Sequence, residues 1–251
     1  MPRAPAGDQQ PMPARGPGTG PTVTKAPEPG QSGYRAGVTM GLDILLLSVD
    51  PHLRIVRERR YTGYAMRAAD LMELAVARRV ETRGRWSKWI HVLDARPTGE
   101  PLLDASLASL ATSRKRVDPA DWMCRQPGRG AITDGLALLE AQDAVRLYSR
   151  RLNRRLTLIE PALLDPARQA QIRARLDRFI AAGGAADVLD WALAGLVHEC
   201  DLWIPGHYDR AAQRMYKEAA RGKRGTDPAD PVEATIRALM REAHNARNVD
   251  L

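Results

Sequence analysis

The sequence is poor in cysteine and in aromatic residues, and both deficits narrow the classes of protein to which it can belong. Its two cysteines, Cys124 and Cys200, stand far apart in a chain of 251 residues, so neither a disulfide scaffold nor a paired zinc motif is indicated. Aromatic residues make up 5% of the chain, which leaves few side chains to stack on nucleic acid bases. Both cysteines are therefore expected to be reduced thiols inside the fold.

Long apolar runs and catalytic signatures are also missing from the sequence. The most hydrophobic run, 44–49, lies between Asp43 and Asp50 and is far shorter than the roughly 18 residues that cross a bilayer. No GxSxG, P-loop or GxGxxG motif occurs, and His198, Cys200 and His207 lack the spacing of zinc ligands. We therefore expect no cofactor, no metal and no enzymatic activity, in a protein that is soluble or attached peripherally to a membrane.

Proline is concentrated in the first thirty residues. Eight of the eighteen prolines fall within 1–29, together with glycine and few large apolar side chains. Such a composition cannot bury enough apolar surface to offset the entropy of ordering, so 1–36 are predicted to form a disordered arm. The prediction for the remainder is one helical domain over 37–204 and a C-terminal helical extension over 205–251.

Positive charge is in excess, which favours anionic partners. The chain has 38 lysine and arginine residues against 30 aspartate and glutamate residues, a formal net charge of +8. That balance suits lipid head groups or nucleic acid, and the total alone does not distinguish them. Abundant arginine, alanine, glycine and proline are also typical of GC-rich genomes such as those of actinomycetes, so codon usage accounts for part of the excess.

One group of arginines lies before and within a predicted helix. Its members are Arg54, Arg57, Arg59, Arg60 and Arg67. Apolar residues at helical spacing between 64 and 75 predict an amphipathic helix that places Arg67 at the boundary with solvent. Two interpretations stay open: Arg67 faces an anionic ligand, or it pairs with Asp70 three residues later.

A second group of arginines falls within a predicted β-hairpin. Its members are Arg146, Arg150, Arg151, Arg154 and Arg155. Apolar residues at 145–149 and 156–159 predict two strands, and 151–154 form the turn, where Asn153 tolerates a positive φ. The pattern predicts a basic hairpin that projects from the domain near 145–159.

Most other signals are helical. Asp165, Asp187 and Asp230 are typical helix N-caps, and two of them precede a proline that suits the first helical turn. Residues 89–93 favour a strand, Pro97 and Gly99 break it, and Pro101 suits the start of a helix. The predicted fold is mainly α: a single helical bundle with short strands and one projecting hairpin.

Five short sequence motifs follow one another along the middle of the chain. They are DILLL at 43–47, MELA at 72–75 with Arg67 before it, PTGEPLLD at 97–104, DWM at 121–123 and LVHECDL at 196–202. In this order and spacing the chain resembles the Golgi phosphoprotein 3 family, and its composition resembles that of a bacterial member from a GC-rich genome. The resemblance extends over roughly 38–203.

The resemblance implies a function and a set of site residues. Members of the family are peripheral membrane proteins that bind phosphatidylinositol 4-phosphate, so the chain is expected on the cytoplasmic, inner face of a membrane. Arg67 stands at the position of a phosphate-binding arginine. Arg129 falls near the first of two further family arginines, and Thr133 stands where the second aligns. Arg57 stands near the position of a pocket tryptophan, so aromatic contact would come from Tyr64 or Tyr61.

The sequence also suggests partners other than a lipid head group. The hairpin arginines Arg150, Arg151, Arg154 and Arg155 are expected to contact the membrane or a second copy of the chain. One alternative is a protein adaptor whose lipid pocket has lapsed and which recruits a membrane-associated protein. A nucleic-acid-binding protein is the other, and no nucleic acid partner is expected, because no helix-turn-helix or RNA-binding signature is present.

Overall fold

Helices dominate the part of the chain that a computed structural model describes, which is residues 38–84, 88–125, 128–151, 157–184, 187–202, 209–222 and 230–249. The helices are α1 (Met40–Ser48), α2 (Arg59–Val76), α3 (Pro101–Ala111), α4 (Pro119–Arg125), α5 (Gly128–Ala141), α6 (Pro166–Ala181), α7 (Val188–Glu199), α8 (Arg210–Ala220) and α9 (Pro231–Val249). The mainly α prediction is confirmed. The predicted arm, 1–36, lies outside the described residues.

Three antiparallel pairs of short strands accompany the helices. The strands are β1 (Val49–Asp50), β2 (Ile55–Val56), β3 (Val80–Arg83), β4 (Trp89–Val92), β5 (Val145–Arg151) and β6 (Thr157–Leu163). In the described residues β1 pairs with β2, β3 with β4, and β5 with β6, each pair as its own two-stranded sheet. The described strands therefore form three separate short pairs and no larger sheet.

Helix α2 lies at the centre of that core. It packs against α1, α5, α7 and α9 in the described structure, and α3 and α4 also contact it. Alanines 65, 68, 69 and 75 on its buried face have small side chains that let neighbouring helices approach closely. Helix α1 is buried along its whole length, as expected for a helix that is apolar on nearly every side.

The segment from β4 to α3 folds as the sequence predicts. Gly99 has φ +91°, a left-handed conformation that favours glycine, and α3 begins at Pro101. Asp104 closes the turn: its carboxylate accepts hydrogen bonds from the backbone N–H of Thr98 at 2.5 Å and of Gly99 at 3.1 Å. Burial acts to raise the pKa of Asp104, but the hydrogen bonds from Thr98 and Gly99 together outweigh it, and the pKa is lowered.

The β-hairpin forms, with longer strands than predicted. β5 continues to Arg151, which pairs with Thr157, and β6 continues to Leu163, so the predicted strand ends at 149 and 159 were too early. The antiparallel ladder continues for as long as the two strands stay opposite each other, whatever the polarity of the exposed side chains. The connection, 152–156, with Arg154 and Arg155, lies outside the described residues.

The last two described helices pack against the rest of the bundle. Phe179 on α6 and Tyr216 on α8 stack with ring centroids 6.2 Å apart, and α9 contacts α2 and α4. The predicted caps Asp165 and Asp187 accept hydrogen bonds from the N–H of Arg168 and of Leu189. The limits at 36 and 204 stay predictions. Among the described helices, none is both long and apolar enough to span a bilayer.

Candidate functional site

Arg67 lies on α2 beside an aromatic ring. Its guanidinium carbon is 5.2 Å from the centroid of the Trp122 ring on α4, within the range of a cation–π contact. The Nε of Arg67 and the Nε1 of Trp122 are both buried and have no hydrogen-bond partner among the described residues. Two neighbouring donors therefore lack an acceptor, and buried donors in proteins are nearly always paired.

The predicted alternative for Arg67, an ion pair with Asp70, does not form. Asp70 is buried, and its Oδ2 instead accepts a hydrogen bond from the Oγ of Ser106 on α3, at 2.7 Å. Burial raises the pKa of Asp70 to about 7, although the Ser106 hydrogen bond and the charge of Arg67 act against the rise. Arg67 thus keeps a positive charge that no described carboxylate neutralises directly.

Two acidic side chains lie close enough to Arg67 to influence the pKa of its guanidinium. Burial lowers the pKa of its guanidinium, while the charges of Asp70 and of Asp134 on α5 act in the opposite direction. An arginine remains protonated despite such a shift, because its intrinsic pKa is so high. The influence of Asp134 places the first turns of α5 near Arg67, and these turns contain the family-implied position Arg129.

Tyr64 lies one turn before Arg67 on the same face of α2. Its hydroxyl accepts a hydrogen bond from the Nε of Arg60 at 3.2 Å, and the Arg60 guanidinium lies 5.8 Å from its ring centroid. Residues three apart on a helix are surface neighbours. Tyr64 is therefore placed to line one side of a site centred on Arg67.

Arg57 is occupied by a structural contact. Its Nε donates to the Oδ2 of Asp50 at 3.0 Å, and its Nη2 binds the same oxygen. The N–H groups of Leu53 and His52 bind the other oxygen of Asp50, at 2.9 and 2.8 Å. The Leu53 hydrogen bond and then Arg57 hold the pKa of Asp50 at about 2. Arg57 thus closes the turn between β1 and β2.

The hairpin carries its arginines on an exposed surface. Arg150 is 71% exposed, with its Nη1 3.9 Å from the Oε1 of Glu160, and Arg151 is exposed at the end of β5. Tyr148 and Ile159 are exposed apolar side chains on the same hairpin. The guanidinium of Arg54, in the β1–β2 turn, lies 5.4 Å from the centroid of the Tyr148 ring. Successive side chains of a strand point to opposite faces, so each face of the hairpin combines an arginine with an apolar side chain: Arg150 with Tyr148, and Arg151 with Ile159.

A family model described as Golgi phosphoprotein 3 (GPP34) matches residues 41–243, from the second residue of α1 into α9. The chain belongs to the Golgi phosphoprotein 3 family. The match covers most of the chain and confirms the family that the ordered motifs indicated. No curated protein matches the chain.

Two of the Golgi phosphoprotein 3 motifs lead to Arg67 or to its neighbour Asp70. The PTGEPLLD segment turns the chain into α3, and α3 carries Ser106 to Asp70. The DWM segment lies in α4 and supplies Trp122. Arg129 and Thr133 both lie in the first half of α5, where Thr133 is exposed; the side chain of Arg129 lies outside the described part.

The LVHECDL motif contributes to the core. Cys200 is fully buried, and its Sγ donates to the backbone carbonyl of Tyr61 at the start of α2, at 3.6 Å. Within the described ranges no group of three histidine, cysteine or acidic side chains is arranged to hold a metal ion. The motif therefore ties the end of α7 to the helix that carries Arg67.

Sequence reasoning missed the role of Trp122 beside Arg67. The two residues are 55 positions apart, and neither helical periodicity nor local spacing relates them. The one available signal was the presence of both in an ordered family pattern. Their contact depends on how α4 packs against α2, which is a property of the assembled core.

Proposed function

We propose that this chain is a peripheral membrane protein that binds an anionic phosphoinositide head group, of the phosphatidylinositol 4-phosphate type, on the cytoplasmic face of a membrane. The observation that carries the proposal is Arg67, a charged and partly buried guanidinium whose Nε has no acceptor among the described residues. A phosphate monoester offers several strong acceptor oxygens and the opposite charge. The family of the chain supports the same reading.

The Trp122 ring supports the choice of Arg67 as the phosphate ligand. A guanidinium over an aromatic face is held in a defined plane, so less side-chain entropy is lost when a ligand binds. Planar donors can hold a phosphate through two parallel hydrogen bonds, which a lysine cannot do. Tyr64 and the first turn of α5, with Arg129, would complete the walls of the site.

A single pocket of this kind binds weakly, so a second contact is part of the proposal. Two or three charge-assisted hydrogen bonds at about 1.5–3 kcal/mol each total about 3–9 kcal/mol, and only the top of this range reaches the roughly 8 kcal/mol of a micromolar complex. Cations near an anionic bilayer add about 1 kcal/mol each. The exposed hairpin residues Arg150 and Arg151, which share the hairpin with the exposed side chains of Tyr148 and Ile159, are suited to this task.

Replacing Arg67 by alanine tests the pocket directly. We expect binding to vesicles containing phosphatidylinositol 4-phosphate to weaken roughly 10- to 150-fold, the equivalent of about 1.5–3 kcal/mol for lost hydrogen bonds to a charged group. Arg67→Lys keeps the charge, loses the planar donors and should restore little. Co-sedimentation with neutral, phosphatidylinositol, phosphatidylinositol 4-phosphate and charge-matched anionic vesicles measures the effect.

The control for Arg67 is Arg114→Ala, which removes an exposed arginine after α3 and should leave selectivity unchanged. Equal binding of Arg67→Ala and the parent chain to phosphatidylinositol 4-phosphate would contradict the pocket. No vesicle binding by the parent, together with co-purification of one stoichiometric protein in high salt, would favour the adaptor alternative instead.

Removing the described hairpin cations tests the second contact. Arg150→Ser with Arg151→Ser should weaken binding to every anionic vesicle by a similar factor, roughly 30-fold at low salt, because two cations contribute about 1 kcal/mol each. The loss should shrink as salt rises. Sedimentation of the same variant without lipid reports whether the hairpin also joins two copies of the chain. Undiminished vesicle binding would count against the hairpin.

A further inference from the structure

Helix α8 has a straight row of exposed cations that is separate from the site around Arg67 and from the hairpin. The row consists of Arg210, Arg214, Lys217 and Arg221, all exposed. At 3.6 residues per turn, spacings of four, three and four residues confine the four side chains to about 60° of arc and extend them over about 16 Å of the helix axis. The opposite side of the helix is its buried face, formed by Ala212, Met215, Tyr216, Ala219 and Ala220.

The stability of α8 does not account for this row. Within the described residues none of the four cations forms an ion pair, and like charges at such spacings destabilise a helix. Lys217 and Arg221 near the C-terminal end are favoured by the helix dipole, whereas Arg210 in the first turn is opposed by it. The acid at the start of the helix, Asp209, caps it by accepting from the N–H of Ala212. Glu218, half-buried on the same helix, stands four residues after Arg214 and three before Arg221, so the four cations of the row outnumber the one acid beside them.

The side chains exposed on α8 favour a lipid bilayer over a protein or a nucleic acid as the partner. Protein interfaces of useful affinity need a buried apolar or aromatic centre, and α8 exposes no large apolar side chain. Binding of single-stranded nucleic acid draws on aromatic stacking, and the one aromatic residue of α8, Tyr216, is buried against Phe179. A bilayer of anionic lipid needs only cations near its surface.

We propose that the outer face of α8 is a second membrane-contact surface, which binds anionic phospholipid bilayers by charge alone and without preference for a head group. It rests on the proposed function in assuming that the chain acts at a membrane, but it uses none of the residues around Arg67 or in the hairpin. The surface adds attraction to any anionic bilayer, while Arg67 adds selectivity for the phosphoinositide.

The test removes two central cations of the row. Arg214→Gln with Lys217→Gln should weaken binding to vesicles of 30 mol% phosphatidylglycerol, which contain no phosphoinositide, by roughly 30-fold at low salt. Arg214→Lys with Lys217→Arg keeps both charges and should bind like the parent chain. Arg114→Gln with Lys115→Gln removes the same net charge from another exposed segment and should have little effect. Thermal unfolding establishes that all variants fold.

Each result decides one question. An unchanged α8 variant, or an equal loss in the matched control, overturns the surface. Tighter binding of a single-stranded oligonucleotide at the same salt, lost with the same two changes, overturns the assignment to lipid. If Arg67→Ala keeps its phosphoinositide selectivity while the α8 variant loses vesicle binding, the pocket fails and the α8 surface stands. The reverse pattern retains the pocket and removes the α8 surface.

Discussion

Arg175→Ala is expected to destabilise the protein by about 3–5 kcal/mol, because it leaves a buried carboxylate without its cation. Arg175 lies on α6 and joins two acids from other helices. Its Nη1 donates to the Oδ2 of Asp43 at 2.8 Å, and its Nη2 donates to the Oδ1 of Asp190 at 2.6 Å. The side chain of Asp43 is only 3% exposed, so its charge is poorly solvated once the arginine is lost.

Urea unfolding followed by circular dichroism measures the loss. Arg178→Ala removes an exposed arginine from the same helix and should cost no more than about 1 kcal/mol, from the helix dipole. Arg175→Met combined with Asp43→Asn should recover part of the loss, because no buried charge then remains unpaired at Asp43. A cost below 1 kcal/mol for Arg175→Ala would mean that the Asp43 carboxylate does not depend on this ion pair.

Asp70→Asn is expected to stabilise the fold above pH 7 and to change little near pH 4. Burial raises the pKa of Asp70 from 3.8 to about 7. Between these values the folded chain binds more protons at this site than the unfolded chain does, so the free energy of unfolding falls as pH rises from about 4 to 7. A shift of about three units corresponds to an upper bound of about 4 kcal/mol.

The experiment compares unfolding free energies of the parent and the variant across pH 4 to 8. The asparagine side chain retains an oxygen that can accept from Ser106, so the variant removes the charge while keeping the hydrogen bond. Burial raises the pKa of Glu73 in the same direction, and only the difference between parent and variant isolates Asp70. Asp134→Asn, at an exposed acid on α5, is the control. A difference that does not vary with pH would refute the assignment.

Local patterns were sufficient to predict much of the fold. The caps at Asp165 and Asp187, the break at Pro97 and Gly99, and the start of α3 at Pro101 all depend on interactions between residues close in sequence. The hairpin was predicted from two apolar runs, although its strands end later than expected. Helix α8 lies within the predicted C-terminal helical extension, 205–251, but its bounds within that extension were not predicted from the sequence.

The helical class, the family and Arg67 as a candidate ligand were predictable from the order and spacing of residues along the chain. How these residues are used depends on the assembled fold. In the folded chain Arg67 lies over the ring of Trp122, Asp70 accepts a hydrogen bond from Ser106, and Arg57 donates a hydrogen bond to Asp50. Contacts between residues far apart in sequence depend on the packing of helices against α2, and that packing belongs to the whole core rather than to any local pattern.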